Sequence, residues 1–318
     1  MGNQIEPKLS FDSQIEYLKS IGVSFNLCSE DEASRYLSED SYLYKVLLYR
    51  RLFSAADCKS GSLKYRGLDF AMLKDLAGID QLMRYVVLQL TLDIEHFEKA
   101  SLMKRVTELD CEDGYLIVEA YRKQLTEGQR NRLSSELRVR RGDIYCGDII
   151  QKYPADSMPI WALLEVVSFG TFVDICRFRA TRWQEKTLLD EHYLLKKVKS
   201  LRNACAHSSA ILNGIAASSC ADGPRPSDLL LGELSRCGVS RKVRRQRMRN
   251  PRMLELATTL FTHGRVVPEG SSRKRAAADL QKLFARAEEH RDCYAAENPA
   301  FAAIDFMRSL TKRFGMLE

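Results

Sequence analysis

Apolar residues recur at helical spacing through most of this chain, and the strict alternation of a half-buried strand is rare. Between residues 69 and 97, Leu73, Leu76, Ala77, Met83, Val86, Val87, Leu90, Ile94 and Phe97 form a broad apolar stripe. Asp69 stands where an N-cap belongs. The pattern predicts a helix of roughly seven turns, with Gly78 as a place to bend. FDSQIEYLKSI reads as a short helix ended by Gly22, and Ser29 with Glu32 forms a capping box for the next. YLYKVLLYRRLF fits helix or extended chain equally. Residues 114–140 read as helix, or as two helices meeting near Gly128. IWALLEVVSFGTFVDICRFRA is apolar nearly all round and predicts a central buried helix. A helical region over 185–213 follows, then helices near 252–263, 272–296 and 300–314. The fold class expected is an all-α helical bundle.

The stretch NGIAASSCADGPRPS breaks this pattern with small, polar and Pro/Gly-rich residues. It predicts a helical domain over residues 1–213 and a helical, basic C-terminal extension over 214–318. The hydrophobic fraction, 45%, is that of an ordinary globular protein. The most apolar stretch is interrupted by Lys74, Asp75, Asp80 and Arg84, so no membrane span and no membrane partner are expected. No export signal is visible at the N-terminus, and nine scattered cysteines without a CxxC read as reduced thiols. The expected location is the cytoplasm, with no metal and no cofactor. The formal charge of +7 matters through its distribution. From Arg236 to Arg252 the chain carries eight Arg or Lys and no acid. Arg241, Lys242, Arg244, Arg245, Arg247 and Arg249 are the candidates for RNA phosphates through counterion release. A solvated basic loop is the other reading.

Candidate chemistry gathers in LRNACAHSSAILN, residues 201–213. Arg202, Asn203 and His207 spell R-N-x-x-x-H. On a regular helix Asn203 and His207 share a face, whereas Arg202 and His207 lie about 140° apart. A distorted helix, or a second copy of the chain, would bring an arginine to a histidine. These residue types suit RNA cleavage without metal. A neutral imidazole takes the proton of a ribose 2′-hydroxyl. A guanidinium holds the anionic phosphorane by two parallel hydrogen bonds. Asn203 fixes the ring or a phosphate oxygen. Cys205, with no base beside it, reads as a small buried residue. Glu165 lies four residues from both Trp161 and Phe169, on a largely apolar face. It reads as a structural ion-pair partner, or as an acid or anchor for Arg202. Asn213 reads as a helix C-cap, with Gly214 in the left-handed position. His96, His192, His263 and His290 have no arginine five residues upstream, so the chain holds one motif copy, which agrees with a homodimer.

Several blocks occur in an order that resembles the Abi-like abortive-infection family of bacterial phage-defence proteins (the AbiD and AbiF type). They are YLSEDSYLYKVLLYRRLF; the long helix with Asp80 and Glu95; MPIWALLEVVSFG with Pro159, Trp161, Glu165, Phe169 and Gly170; and LRNACAHSSAILN. The resemblance covers roughly residues 8–213. It implies a HEPN-like helical bundle, a superfamily in which many members are dimeric, metal-independent ribonucleases acting across paired R-x4–6-H motifs. Arg202 and His207 would then be catalytic and Asn203 supporting, with RNA cut to 2′,3′-cyclic phosphate ends. Lys99 stands where the family pattern has an arginine four residues after Glu95; lysine keeps the charge but not the planar fork. Two other readings stand beside the nuclease: a non-catalytic RNA-binding or ribonucleoprotein component of a defence system, and a protein–protein module.

Overall fold

One helix organises the molecule. α4 (Phe70–Glu108) runs unbroken for 39 residues, about 58 Å at helical rise. Its start is fixed by Asp69, whose carboxylate accepts from the Ala71 N–H at 3.0 Å. The same side chain accepts from the Asn26 N–H at 2.7 Å and the Ser24 hydroxyl at 2.8 Å, tying the preceding loop to the helix end. The computed structural model describes residues 8–57, 63–215 and 225–317.

Before α4 come α1 (Phe11–Ser20), α2 (Glu30–Glu39) and α3 (Leu43–Leu47), the last continued by a 3-10 turn over Leu48–Leu52. The expected capping box is formed, with Ser29 and Glu32 satisfying each other's backbone N–H. The ambiguous aromatic block is therefore helical, and its period places Val46 and Tyr49 inside, both wholly buried. Strand content is slight. β1 (Val23–Ser24) pairs in parallel with β4 (Leu68–Asp69), and β2 (Ala55–Asp57) antiparallel with β3 (Leu63–Tyr65).

After α4 the chain folds through α5 (Leu116–Gln124), α6 (Glu127–Arg140) and α7 (Gly147–Lys152). Thr126 caps α6 with a second capping box, so residues 114–140 form two helices. The helix expected over residues 160–180 is also two. α8 (Ile160–Val166) ends at Val167, and α9 (Phe169–Arg182) starts anew from Ser168. The Ser168 hydroxyl caps the Thr171 N–H at 3.4 Å, while Glu136 accepts from the Ser168 N–H and from the Thr171 hydroxyl at 2.6 Å. The unbroken apolar run concealed this break, because its polar signal is one serine and a glutamate 32 residues upstream.

α10 (Lys186–Ala206) packs against α9 and α4. The C-terminal region is helical as expected: α11 (Asp228–Arg236), α12 (Arg241–Arg247), α13 (Pro251–Val266), α14 (Ser271–Glu288) and α15 (Pro299–Arg313). The middle of the Pro/Gly/Ser-rich stretch, 216–224, lies outside the described residues. α13 and α14 lie on α4, and α13 on α10.

Two apolar cores result. The first joins α1–α3 and the first half of α4 to the C-terminal helices, and includes Leu73, Leu76, Leu201, Leu254 and Ile304. The second joins the far half of α4, from Ile94 to Val106, to α5–α9 and to Leu195 and Val198 of α10. The seam between them passes between Leu90 and Ile94 on α4 and runs along α10, where Leu194, Leu201 and Cys205 belong to the first core and Leu195 and Val198 to the second.

Candidate active site

The R-N-x-x-x-H motif lies at that seam, in the last turn of α10. The helix stays regular to Ala206 and closes with His207 as its C-cap. Ser208 takes a left-handed conformation at φ 55°. Its N–H bonds the Cys205 carbonyl at 3.0 Å, and the Ser209 N–H bonds the Ala204 carbonyl at 2.8 Å, which is the Schellman pattern. Helix termination thus comes before Asn213, not at it. Asn213 is not a cap, and its buried Oδ1 has no partner among the described residues. Gly214 is left-handed at φ 80°, but it belongs to the turn that follows.

Arg202 is half-buried. It donates from Nη1 to Asn203 Oδ1 at 3.1 Å, faces Glu95 Oε2 at 3.9 Å, and lies over the Phe169 ring at 5.9 Å. Lys99 completes the group: its Nζ is 3.0 Å from Glu95 Oε1 and 5.9 Å from the centre of the Phe172 ring. Glu95 and Lys99 therefore do form a pair, and Glu95 stands between two cations. Phe169 and Phe172 stack at 6.2 Å, giving both cations an aromatic floor. Asn203 and His207 are exposed beside this group. Arg202 does not reach His207; its bonds run along and across helices, toward Asn203 and Glu95. The two motif residues project from a regular helix in different directions, as the spacing demands.

Glu165 is not part of the group. It is exposed, on the outer side of α8 with Trp161, which is 41% exposed and rests against Tyr115. The apolar face inferred for Glu165 belongs to Ala162, Leu163 and Val166 instead. The break at Val167 also removes Phe169 from the face that carries Trp161 and Glu165. Cys205 is buried, and burial pushes its thiol up to about 12, which removes it as a nucleophile at neutral pH.

Sequence reasoning missed what holds the segment after His207. Asp80, wholly buried on α4, accepts from the Leu212 N–H at 2.7 Å and from the Tyr49 hydroxyl at 3.0 Å, and pairs with Arg84. Burial raises the Asp80 carboxyl above its ordinary range, opposed by the Leu212 N–H and by Arg84. Lys45 donates to the Ser208 carbonyl at 2.9 Å. On the other side, the Asn250 side chain donates to the Gly214 carbonyl at 2.9 Å. The tyrosine-rich block, α4 and the C-terminal helices thus clamp the backbone that leaves the motif. An aspartate inside an apolar stripe was the available signal, since such a carboxylate needs partners.

The basic run is ordered. Arg244 donates to the Val239 carbonyl at 2.7 Å and Arg247 lies 5.4 Å over the Phe306 ring, whereas Arg241, Lys242, Arg245 and Arg249 are exposed. None of these six has a carboxylate partner among the described residues.

The Abi-like protein family model matches residues 35–213, a segment that holds Asp80, Glu95, Arg202 and His207. The chain belongs to the Abi-like protein family. Membership places it, at the level of the family, with the abortive-infection proteins of phage defence. No curated protein and no solved structure matches it. Among the described residues, no helix of this Abi-like protein is long and apolar enough to cross a membrane.

Proposed function

We propose that this Abi-like protein is an endoribonuclease of HEPN type that arrests its host cell by cutting RNA without a metal ion. His207 takes the 2′-hydroxyl proton, and the resulting alkoxide attacks the adjacent phosphorus. Arg202 holds the developing phosphorane charge. Asn203 orients the Arg202 guanidinium, which it already contacts. The bond from phosphorus to the 5′-oxygen breaks, that oxygen leaves as a hydroxyl with a proton from water, and the ribose retains a 2′,3′-cyclic phosphate. Single-stranded RNA is the substrate, because in-line attack needs a backbone freedom that a duplex withholds.

The observation that carries this reading is the placement of the motif. A regular helix ends with an exposed imidazole as its cap, beside a half-open guanidinium and a lysine on an aromatic floor. Arg202 and His207 do not converge within one chain, so a second copy supplies the complement. The face for it is on α4, where Tyr85 is 60% and Leu92 44% exposed on one stripe with His96, leading to Glu95 and Lys99. The cytoplasm, where RNA is available, is the proposed site of action.

The test is induced expression of the wild type, Arg202→Ala and His207→Ala, with growth and total RNA followed together. The expected result is arrest with fragmented RNA in the wild type and neither in the variants. Removing a general base costs about 10²–10⁴ in rate. Intact RNA from the wild type, or fragmentation by all three chains, would overturn the reading. Leu92→Asp is expected to give a monomer by light scattering and to lower cleavage with it.

A further inference from the structure

α12 and the turn after it lie outside the family-matched segment, and they build a cleft of about 410 Å³. Arg241, Arg245 and Arg249 all line it, together with Arg244. Arg241 and Arg245 stand about 6 Å apart along one side of α12, and Arg249 follows in the turn after it. Pro226, Leu231 and Met248 supply its apolar lining.

The cations are held in place. A helix of seven residues has little stability alone. This one is capped by Ser240, anchored by Arg244 on the Val239 carbonyl and by Arg247 over Phe306, and seated on the buried Met248. Two arginines are thus spent on anchoring, and three are left in solvent with no carboxylate partner among the described residues. Like charges at that spacing repel, which costs stability unless an anion joins them. Elsewhere in the same region arginines are paired: Arg286 with Asp75, Arg291 with Asp305, Arg236 with Glu233.

We propose that this cleft is a docking site for the backbone of single-stranded RNA, separate from the cleavage site. Three phosphates in succession meet Arg241, Arg245 and Arg249. The partly exposed apolar lining at Pro226 and Leu231 takes a base or ribose face. The choice of RNA over another polyanion rests on the nuclease reading above; the placement of the phosphates does not. An anionic membrane is the poorer fit. Among the described residues, α11–α15 carry none of the exposed large apolar side chains, so these helices offer nothing to insert, and charge alone anchors weakly.

The experiment is binding of a fluorescent single-stranded RNA to the full chain, at 50 to 200 mM salt. It uses His207→Ala throughout, so that binding is read without cleavage. Arg241→Gln/Arg245→Gln/Arg249→Gln is compared with the unaltered surface. Three lost phosphate contacts at about 0.7 per single-strand contact flatten the slope of log K against log salt by about 2. Between 50 and 200 mM salt the unaltered surface then loses about 20-fold more affinity than the variant. The triple lysine variant retains the slope, which separates lost charge from lost fold. Equal slopes in all three chains would overturn the proposal. So would binding to anionic vesicles that RNA does not displace. Either result leaves the growth test of Arg202 and His207 standing, and silence in that test leaves this binding result intact.

Discussion

Asp80 and Glu95 lie on one helix, about four turns apart, and each faces an arginine, yet the two groups do different things. Asp80 is wholly buried. Its two oxygens are committed to Arg84, the Tyr49 hydroxyl and the Leu212 N–H. Glu95 is half-open, and its arginine stands 3.9 Å away. A cation enclosed with its carboxylate is held by a large desolvation penalty and has no capacity left. Arg202, at the seam, keeps access to water, as the proposed phosphate contact requires. Burial, not residue type, decides which arginine is enclosed as scaffold and which stays open to solvent. Arg179 repeats the first case: it is buried against Glu98 Oε2 at 2.9 Å and links α9 to α4.

The strongest way to break the comparison is at its buried end. Asp80→Ala leaves the Arg84 charge and the Leu212 N–H without their acceptor inside the protein. The expected cost is about 3–5 kcal/mol of folding stability, read as a lower denaturation midpoint in urea. Since one or two kcal/mol is already a large share of a domain's stability, this variant is expected to be poorly folded at 37 °C. A change below about 1 kcal/mol would mean that Asp80 does not hold the 210–212 backbone.

The same substitution at the open end separates the groups. Glu95→Ala removes a carboxylate whose partners both keep access to water, so the expected cost is about 0–1 kcal/mol. The variant is expected to fold normally and to bind RNA more tightly, because Lys99 and Arg202 lose their neutralising charge. A loss of several kcal/mol would show Glu95 to be scaffold like Asp80, and would close the site to the chemistry proposed for it.

The hydrophobic period made the bundle readable. Asp69 and Ser29 were visible as caps because short polar side chains before an apolar period have few other uses. What the period hid were interruptions that leave it intact. The run from Ile160 to Ala180 stays apolar across the Ser168 break, since Val166, Val167 and Phe169 on either side of the corner are all buried. Glu165 was misplaced for that reason: its wheel was drawn on a helix that ends one residue later. The end of α10 was hidden differently. Ser208 is not a residue whose type announces a left-handed conformation, and Gly214, which does, comes six residues too late. Arg202, Asn203 and His207 were legible as a set because their types are rare inside a small, apolar stretch. Their supports Lys45 and Tyr49 were not, because they are distant in sequence and look like ordinary surface and core, and the role of Asp80 was not, although the residue stood out in its apolar stripe. Asp80, Glu95 and Lys99 were singled out through the resemblance to the family.

Ser208 offers a finer test of how rigidly the motif must be held. A left-handed residue with a side chain is strained, and glycine relieves that strain while gaining freedom in the unfolded chain. The two effects oppose, so Ser208→Gly is expected to raise stability by about 0.5 kcal/mol and at most about 1 kcal/mol, read from thermal melting. The Lys45 contact is to the backbone carbonyl and survives the change. Activity that falls while stability rises would show that the strained turn aims His207, and would extend the clamp made by Asp80 from fold to chemistry.

The smallest effect comes from histidines that the motif does not use. His192 is buried, with Nδ1 3.0 Å from the Val173 carbonyl, to which its neutral ring donates. Burial lowers its pKa below the ordinary 6.5, and the same cause acts on His263 against Asp93. As pH falls below 6.5 the unfolded chain takes up these protons first, while the folded chain still resists them. Stability present above 6.5 is therefore lost as pH falls toward the depressed folded values. His192→Asn keeps an N–H for the Val173 carbonyl and removes the titration. The melting temperature of the variant is expected to fall less between pH 7 and pH 5 than that of the wild type, with a residual slope from His263. Identical slopes would assign the acid sensitivity to His263 and the carboxylates alone. Either way, acid sensitivity that comes from the buried histidines is a property of the scaffold. It has to be subtracted before any pH profile of cleavage is attributed to His207.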